Sequence, residues 1–347
     1  MALFVLSAVF GVVHTSSAAS GKGQVVLYNW ADYIPRDVLD RFTKETGIKV
    51  VYSTFESTEN MFAKLSIMGT GRASYDVVVP STYQIGLLNE RGLLHELDHS
   101  KLPNLKNMDP DMMEQEYDPG NRFSVPYMWG GVGIIVNRDL VKDEVVSWKD
   151  LTRKEYAGKL LVTDDLRDLF GVGLKVLGYS VNTRDEGEIR AAYEWLEALR
   201  KGARVFSSEV RQPFMDGEVG IGVGWNSTAL QVMAEKESLE YIWPAEGSVL
   251  WADTLVILKN APNLENAYKL IDYLMRPEVA AACVAEYMSA TANLAAVKLI
   301  DQELLENPAF MPTKEHLAIS EFLKDVGPAL AIYSKYFEKL RANSNSK

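Results

Sequence analysis

The stretch QVVLYNWADYIPRDVLDRFTKETGIKVVYSTF (residues 24–55) decides the fold class. QVVLYNW is rich in β-branched and aromatic residues and predicts a strand. PRDVLDRFTKETG predicts a helix, with Pro35 in its first turn, where a missing N–H costs little, and Gly47 as its C-terminal stop. KVVYSTF predicts a second strand. Beyond it Met61, Leu65 and Met68 share one helical face, YDVVVPS reads as a third strand, and a helix through Leu88 is closed by Gly92. Strand, helix, strand, helix, strand is the pattern of a parallel sheet with crossover helices.

The same alternation recurs after SVPYMWGGVGIIVN, in KLLVTDD with its helix, EVGIGVGW with a helix over Ala229–Lys236, and EYIWP. WADTLVILK is a late strand, and ENAYKLIDYLMRPEVAAACVAEYM a helical region broken at Pro277. No low-complexity linker and no fixed-period repeat divides the chain. The expectation is an α/β protein of two lobes joined by short strand-like crossovers. A length of 347 residues suits two cores better than one.

Composition narrows the function classes. With 47% hydrophobic and 24% charged residues the chain reads as ordered and globular. A net charge of −11 argues against nucleic acid or an anionic membrane surface as partner and is compatible with a cationic ligand. The single cysteine, Cys283, excludes an internal disulfide and any Cys-based metal or redox motif, and reads as a small core residue. His14, His95, His99 and His316 lack metal-ligand spacing, so neither a metal nor a cofactor is expected. Residues 1–20, MALFVLSAVFGVVHTSSAAS, hold an apolar run followed by small residues, with Ser17 and Ala19 placed for cleavage. This reads as an export signal, although a basic start is missing and no cysteine is present to carry a lipid.

In open α/β sheets ligands sit beyond the carboxyl ends of strands. Those ends share a composition here. YNWADY offers Trp30, Asp32 and Tyr33, and PSTY offers Ser81 and Tyr83. TDDLRD offers Asp165 and Asp168, GWNST offers Trp225, and WAD offers Trp251 and Asp253. Tyr287 ends a helix in AEYMSATAN. Arg167 is the main basic exception. Carboxylates make charge-assisted hydrogen bonds to an ammonium group. Aromatic faces cover the methylenes between such groups, and cation–π attraction adds roughly 0.5–2 kcal/mol per contact. Several spaced carboxylates imply a ligand with several positive charges. Any single Trp at a strand end is more often core packing, and Asp253 alone reads equally well as a turn residue. Within TDDLRD, Thr163 or Asp164 is expected to cap the following helix, leaving Asp165 and Asp168, three apart on one face, for the ligand.

A glycosidase could use a pair among Asp165, Asp168 and Asp253 as acid and base. A sugar binder would also use the aromatic faces. No GxSxG, phosphate-cradling loop or Cys/His pair suggests another chemistry, and GVGLKVLG lacks dinucleotide-binding spacing. The expectation is a binding protein and not an enzyme.

YNWADYIPRDVLDRFTKETGIKVVYSTFES, YDVVVPSTY, TDDLRD, GVGWNST, WPAEGSVLWAD and ENAYKLIDYLMRPEVA together resemble the spermidine/putrescine-binding proteins of bacterial polyamine ABC importers. The resemblance runs from about residue 24 to residue 340 and rests on the order and spacing of these short motifs. It implies a type II periplasmic binding-protein fold, closing on ligand by a hinge. The chain would cross between lobes near 131–134, 248–252 and 306–312, giving lobe one as 24–131 plus 252–306 and lobe two as 134–248 plus 312–347. It implies amine-binding acids at Asp32, Asp165, Asp168 and Asp253, an aromatic box of Trp30, Tyr33, Tyr83, Trp225, Trp251 and Tyr287, and Ser81 as a hydrogen-bonding neighbour. The implied protein is a periplasmic monomer that hands a polyamine to an inner-membrane ABC permease; a polyamine sensor docking on a receptor is the alternative. Three departures bear on the ligand. Asp32 and Asp168 stand where spermidine-preferring relatives carry Glu. Leu323 stands where they place a cleft Gln, and YMSATAN lacks their prolines. Putrescine and spermidine therefore both remain open.

Overall fold

The computed structural model describes residues 23–31, 33–69, 71 and 73–342. The signal-like segment 1–20 and Asp32 lie outside the described residues.

The opening stretch folds as its pattern predicts. β1 (Gln24–Trp30) pairs in parallel with β2 (Lys49–Phe55) in unbroken register from Gln24↔Lys49 to Trp30↔Phe55. The helix between them spans Arg36–Thr46 and buries Val38, Leu39 and Phe42, a stripe at helical spacing. Pro35 is its N-cap and not a first-turn residue; its carbonyl accepts from Val38 N at 3.1 Å. Gly47 closes the helix at φ 73°, a left-handed position that glycine adopts without a Cβ clash. The next helix, Thr58–Met68, is capped by the Ser57 hydroxyl accepting from Asn60 N at 3.1 Å, and it buries Met61 and Leu65.

The third strand is shorter than expected: β3 is only Val77–Val78, parallel to β1. The late strand β9 (Val249–Ile257) then runs antiparallel to β3 and to β4 (Ser124–Asn137). The sheet is therefore mixed, and the purely parallel expectation holds only for its two flanks. Its path among the described residues is β2-β1-β3-β9-β4-β7-β5-β6, with β5 at Leu160–Val162, β6 at Ala203–Phe206 and β7 at Ile221–Trp225. β5 is parallel to both β6 and β7. β8 (Leu239–Ile242) and β10 (Ala290–Thr291) pair with β4, and β11 (Glu321–Phe322) pairs with β9.

β4 explains how one sheet serves two lobes. Its first half, Ser124–Gly131, pairs with β9, whereas Val132–Asn137 pairs with β7 and β8. At the change of partner a Cβ on Gly130 would stand 2.5 Å from the Trp251 ring, so glycine is what lets this indole lie on the strand. The buried cores divide in the same way. Phe42, Val77, Leu255 and Ile271 belong to cores on the β1 side; Trp148, Phe170, Val223 and Tyr333 belong to one on the β5 side, and Trp251 packs against both. This is a two-lobed type II binding-protein architecture.

The helices that follow β5 and β7 begin at Leu166 and Asn226, and the late helical region splits into Leu264–Leu274 and Pro277–Tyr287, with Pro277 opening the second helix. The Asn226 start comes three residues before the expected Ala229, because NST continues directly from the strand as helix.

Candidate ligand cleft

A cleft of about 770 Å³ opens where the two lobes meet. It collects all ten of the described candidates: Trp30, Tyr33, Ser81, Tyr83 and Asp165, together with Asp168, Trp225, Trp251, Asp253 and Tyr287. Trp30 and Trp225 are the last residues of β1 and β7, and Ser81 and Tyr83 follow β3. Trp251 and Asp253 differ from expectation, lying at the third and fifth of the nine positions of β9 and not at a strand's end. β9 is antiparallel to β3, so its early residues sit level with the carboxyl end of β3, and an isolated bridge joins Ser81 to Asp253.

Asp253 is 4% exposed and is held by two hydroxyls of its own lobe. Ser81 Oγ donates to Oδ1 at 2.7 Å and Tyr33 OH donates to Oδ2 at 2.8 Å. Burial pushes its carboxyl up to about 6, while these two hydrogen bonds pull it partly back. Asp168, 5% exposed, accepts from Trp225 Nε1 at 2.7 Å. Burial likewise raises it to about 6, opposed by the Trp225 bond and by Arg167. Asp165 is raised well above the usual carboxylate range, first by burial, then by the charges of Asp168 and Glu59. Two carboxylates of one helical turn repel each other when both ionise, so this pair titrates as a unit.

The helix cap is not where the sequence placed it. Asp165, extended at φ −121°, is itself the N-cap, and its Oδ1 accepts from Asp168 N at 3.0 Å. The Thr163 hydroxyl is buried without a partner among the described residues, and Asp164 instead pairs with Arg341 at 2.8 Å. Three cap-capable residues in succession, TDD, leave the choice to the backbone: the helix starts at Leu166, so only Asp165 stands at the cap. Asp165 therefore both begins the helix and faces the cleft.

Arg167, the basic exception, does not neutralise the cleft by contact. It is 1% exposed, lies between the rings of Tyr83 and Tyr333 at 5.3 Å from each, and donates to the carbonyls of Lys324 and Val181 and to Asn182 Oδ1. Among the described residues no Lys or Arg nitrogen lies within 4 Å of the carboxylates of Asp165, Asp168 or Asp253. Buried carboxylates without a counter-charge cost several kcal/mol, on the order of what a cation entering the cleft would offset. The aromatic lining supplies apolar cover: Trp30 leans on Phe55 at 4.5 Å, Tyr33 meets Tyr127 edge-on at 5.9 Å, and Tyr83 OH donates to Thr58 Oγ1 at 3.2 Å.

Sequence reasoning missed other lining residues. Glu56 directly follows β2 and Glu209 lies in the loop after β6, so the strand-end rule applied to every strand would have found both. Gln231 comes from the helix after β7 and had no signal beyond helical spacing. Leu323 also lines the cleft, at 4% exposure, and presents an apolar side chain there.

The family model for bacterial extracellular solute-binding proteins matches residues 37–313. A spermidine/putrescine-binding periplasmic protein of Salmonella typhimurium is 43% identical over 330 residues, covering 94% of this chain and 94% of its own. One of the same description from Escherichia coli strain K12 is also 43% identical, with the same coverage of both chains. Among solved structures, a putative spermidine/putrescine ABC transporter from Listeria monocytogenes superposes with a TM-score of 0.87 at 36% identity, over 92% of this chain and 99% of that one. The chain thus belongs to the bacterial extracellular solute-binding proteins, in the branch that contains the spermidine/putrescine-binding periplasmic proteins.

Proposed function

We propose that this protein captures a linear polyamine, putrescine or spermidine, outside the cytoplasmic membrane and delivers it to an inner-membrane ABC permease. The observation that carries the reading is the set of three carboxylates, Asp165, Asp168 and Asp253, desolvated in one aromatic cleft with no basic side chain in contact among the described residues. Asp253 takes an ammonium from the first-lobe side, oriented by Ser81 and Tyr33. Asp165 and Asp168 take a second ammonium from the other lobe. Trp30, Tyr33, Trp225, Trp251 and Tyr287 enclose the methylene chain, Tyr83 packs beside it, and Asp32 is a further acid for the ligand.

The lobes, taken as 24–131 plus 252–306 and 134–248 plus 312–347, close on the ligand about their crossovers. Closure excludes water, which strengthens every charge contact in the cleft. The protein acts as a periplasmic monomer and not as an enzyme, since no step beyond capture and release is required of these residues. The names of its relatives favour transport over sensing, sugar binding or glycoside hydrolysis. Thermal unfolding tests the reading. Ligand at about 100 times its dissociation constant adds about 2.7 kcal/mol to the folded state. A clear rise in melting temperature with putrescine or spermidine is expected; no rise with either overturns the proposal.

A further inference from the structure

The cleft contains a fourth aspartate that the polyamine reading leaves unused. Asp164 lines the same cavity as Asp165 and Asp168, but it is already paired: Arg341 Nε lies 2.8 Å from its Oδ1. Arg341 also lines the cleft. It belongs to the last turn of the helix Leu330–Ala342, is stacked over Phe337 at 4.6 Å, and lies 3.6 Å from Glu338. Glu59, at the start of the first-lobe helix Thr58–Met68, adds its field to the same guanidinium. Arg200 stands within electrostatic reach of Asp164 but makes no ion pair within 4 Å of it; its guanidinium rests on Phe206. Among the described residues, one basic side chain therefore holds one cleft aspartate, while the other three cleft aspartates have no such partner.

We infer that Arg341 is a specificity-determining residue, a built-in cation that occupies Asp164 and so withholds one cleft carboxylate from a ligand's third ammonium. The inference rests on the polyamine reading and deepens it. A ligand with two ammonium groups is served by Asp253 and by the Asp165–Asp168 pair. A ligand with a third gains Asp164 only by displacing the guanidinium, and otherwise relies on Asp32 or on the lining acids Glu56 and Glu209. Arg341 is a good guard because its charge is permanent and its planar head already has a carboxylate partner and an aromatic shelf. With the Arg341 and Asp164 side chains 37% and 27% exposed, the pair is partly screened, so the barrier it sets is one that selects between ligands without preventing either from binding.

The experiment compares putrescine and spermidine by titration calorimetry on the wild type, Arg341→Gln and the double variant Arg341→Gln/Asp164→Asn, at two ionic strengths. Arg341 is half-exposed on a terminal turn, so the single variant is expected to fold, and circular dichroism checks it. Freeing Asp164 should shift the ratio of the two affinities toward spermidine by about tenfold, the scale of one charge-assisted contact. The double variant should return the ratio to the wild-type value. Arg211→Gln provides a charge control, because Arg211 also lines the cleft but pairs outside this acid set, with Glu235. The inference requires that Arg211→Gln shift the ratio far less than Arg341→Gln, and that the Arg341→Gln shift persist at high salt, where long-range charge effects are screened. An unchanged ratio in Arg341→Gln, or an equal shift in the Arg211 control, overturns the role of Arg341. Failure of the wild type to bind either amine would instead overturn the polyamine reading itself.

Discussion

The two lobes hold their cleft carboxylates in different ways. Asp253 of the first lobe is clasped by two neutral hydroxyls, Ser81 and Tyr33, each 2.7–2.8 Å away. The second lobe offers two acids one helical turn apart: Asp168, fixed by the Trp225 indole, and Asp165, tied to the start of its own helix. The first arrangement fixes one charge firmly in place. The second concentrates two charges that resist ionising together, so most of its proton uptake belongs to the pair. A dication is therefore met by one single acceptor held by two hydroxyls and by one double acceptor whose two charges repel each other.

The largest effect expected is that of pH. Asp168 and Asp253 both sit at about 6 in the unliganded protein, and Asp165 lies above its usual range. Binding needs them ionised, so affinity should fall as pH drops through 6, by roughly 100-fold between pH 8 and pH 5 for two such groups. The stability of the unliganded protein should move the other way. Folded-state pKa values raised above the unfolded ones make the ionised carboxyls a burden. That burden, about 2–3 kcal/mol for each of Asp168 and Asp253 at pH 7, is relieved as pH falls from above 6 towards 4. Calorimetry and denaturant titration across pH 5–8 check both signs; an affinity flat over that range would remove the carboxylates from the site.

Next in size is the loss of the single acceptor. Asp253→Asn should keep the fold and weaken polyamine binding by ~1.5–3 kcal/mol, the scale of a hydrogen bond to a charged group. Unchanged affinity in an equilibrium titration would show that Asp253 does not touch the ligand. Trp225→Phe keeps an aromatic face but removes the donor to Asp168. Its effect should be smaller, about 1 kcal/mol, and should appear mainly as an upward shift of the pH profile as Asp168 loses its hydrogen bond. Ser81→Ala should cost least, at about 0.5–1 kcal/mol, because Tyr33 still holds the other oxygen of Asp253. A larger cost for Ser81→Ala than for Trp225→Phe would show that Asp253 depends on its hydroxyl clasp more than Asp168 depends on its indole partner.

The sequence carried the fold where local chemistry and tertiary context agree. In residues 24–55 the strand residues, Pro35, the buried helix stripe and Gly47 all point the same way, and the elements match to within a residue. Strand direction was not legible, because the antiparallel course of β9 is decided by pairing with β3 and β4, partners more than a hundred residues away. β3 shrank to two residues for a similar reason, since its flanking neighbours pair with it only at Val77 and Val78. In the cleft, the pairing of acids with aromatics was visible, and the structure brings together those of them that it describes. Their supports were not: neither the Ser81 and Tyr33 clasp nor the Asp164–Arg341 pair leaves a trace in local sequence, because each joins residues well over a hundred positions apart. The cap at Asp165 was misplaced within TDD because all three residues can cap, and only the backbone conformation selects one.

Charge recognition in the cleft is tested most directly by one pair of titrations. Calorimetry at pH 7.5 would compare putrescine with 1,4-butanediol, which has the same four-carbon chain and hydroxyls in place of ammonium groups. Saturable binding of the diamine and no detectable binding of the diol is the predicted result. Comparable affinity for both, or binding of the diol alone, would contradict a site built on Asp165, Asp168 and Asp253.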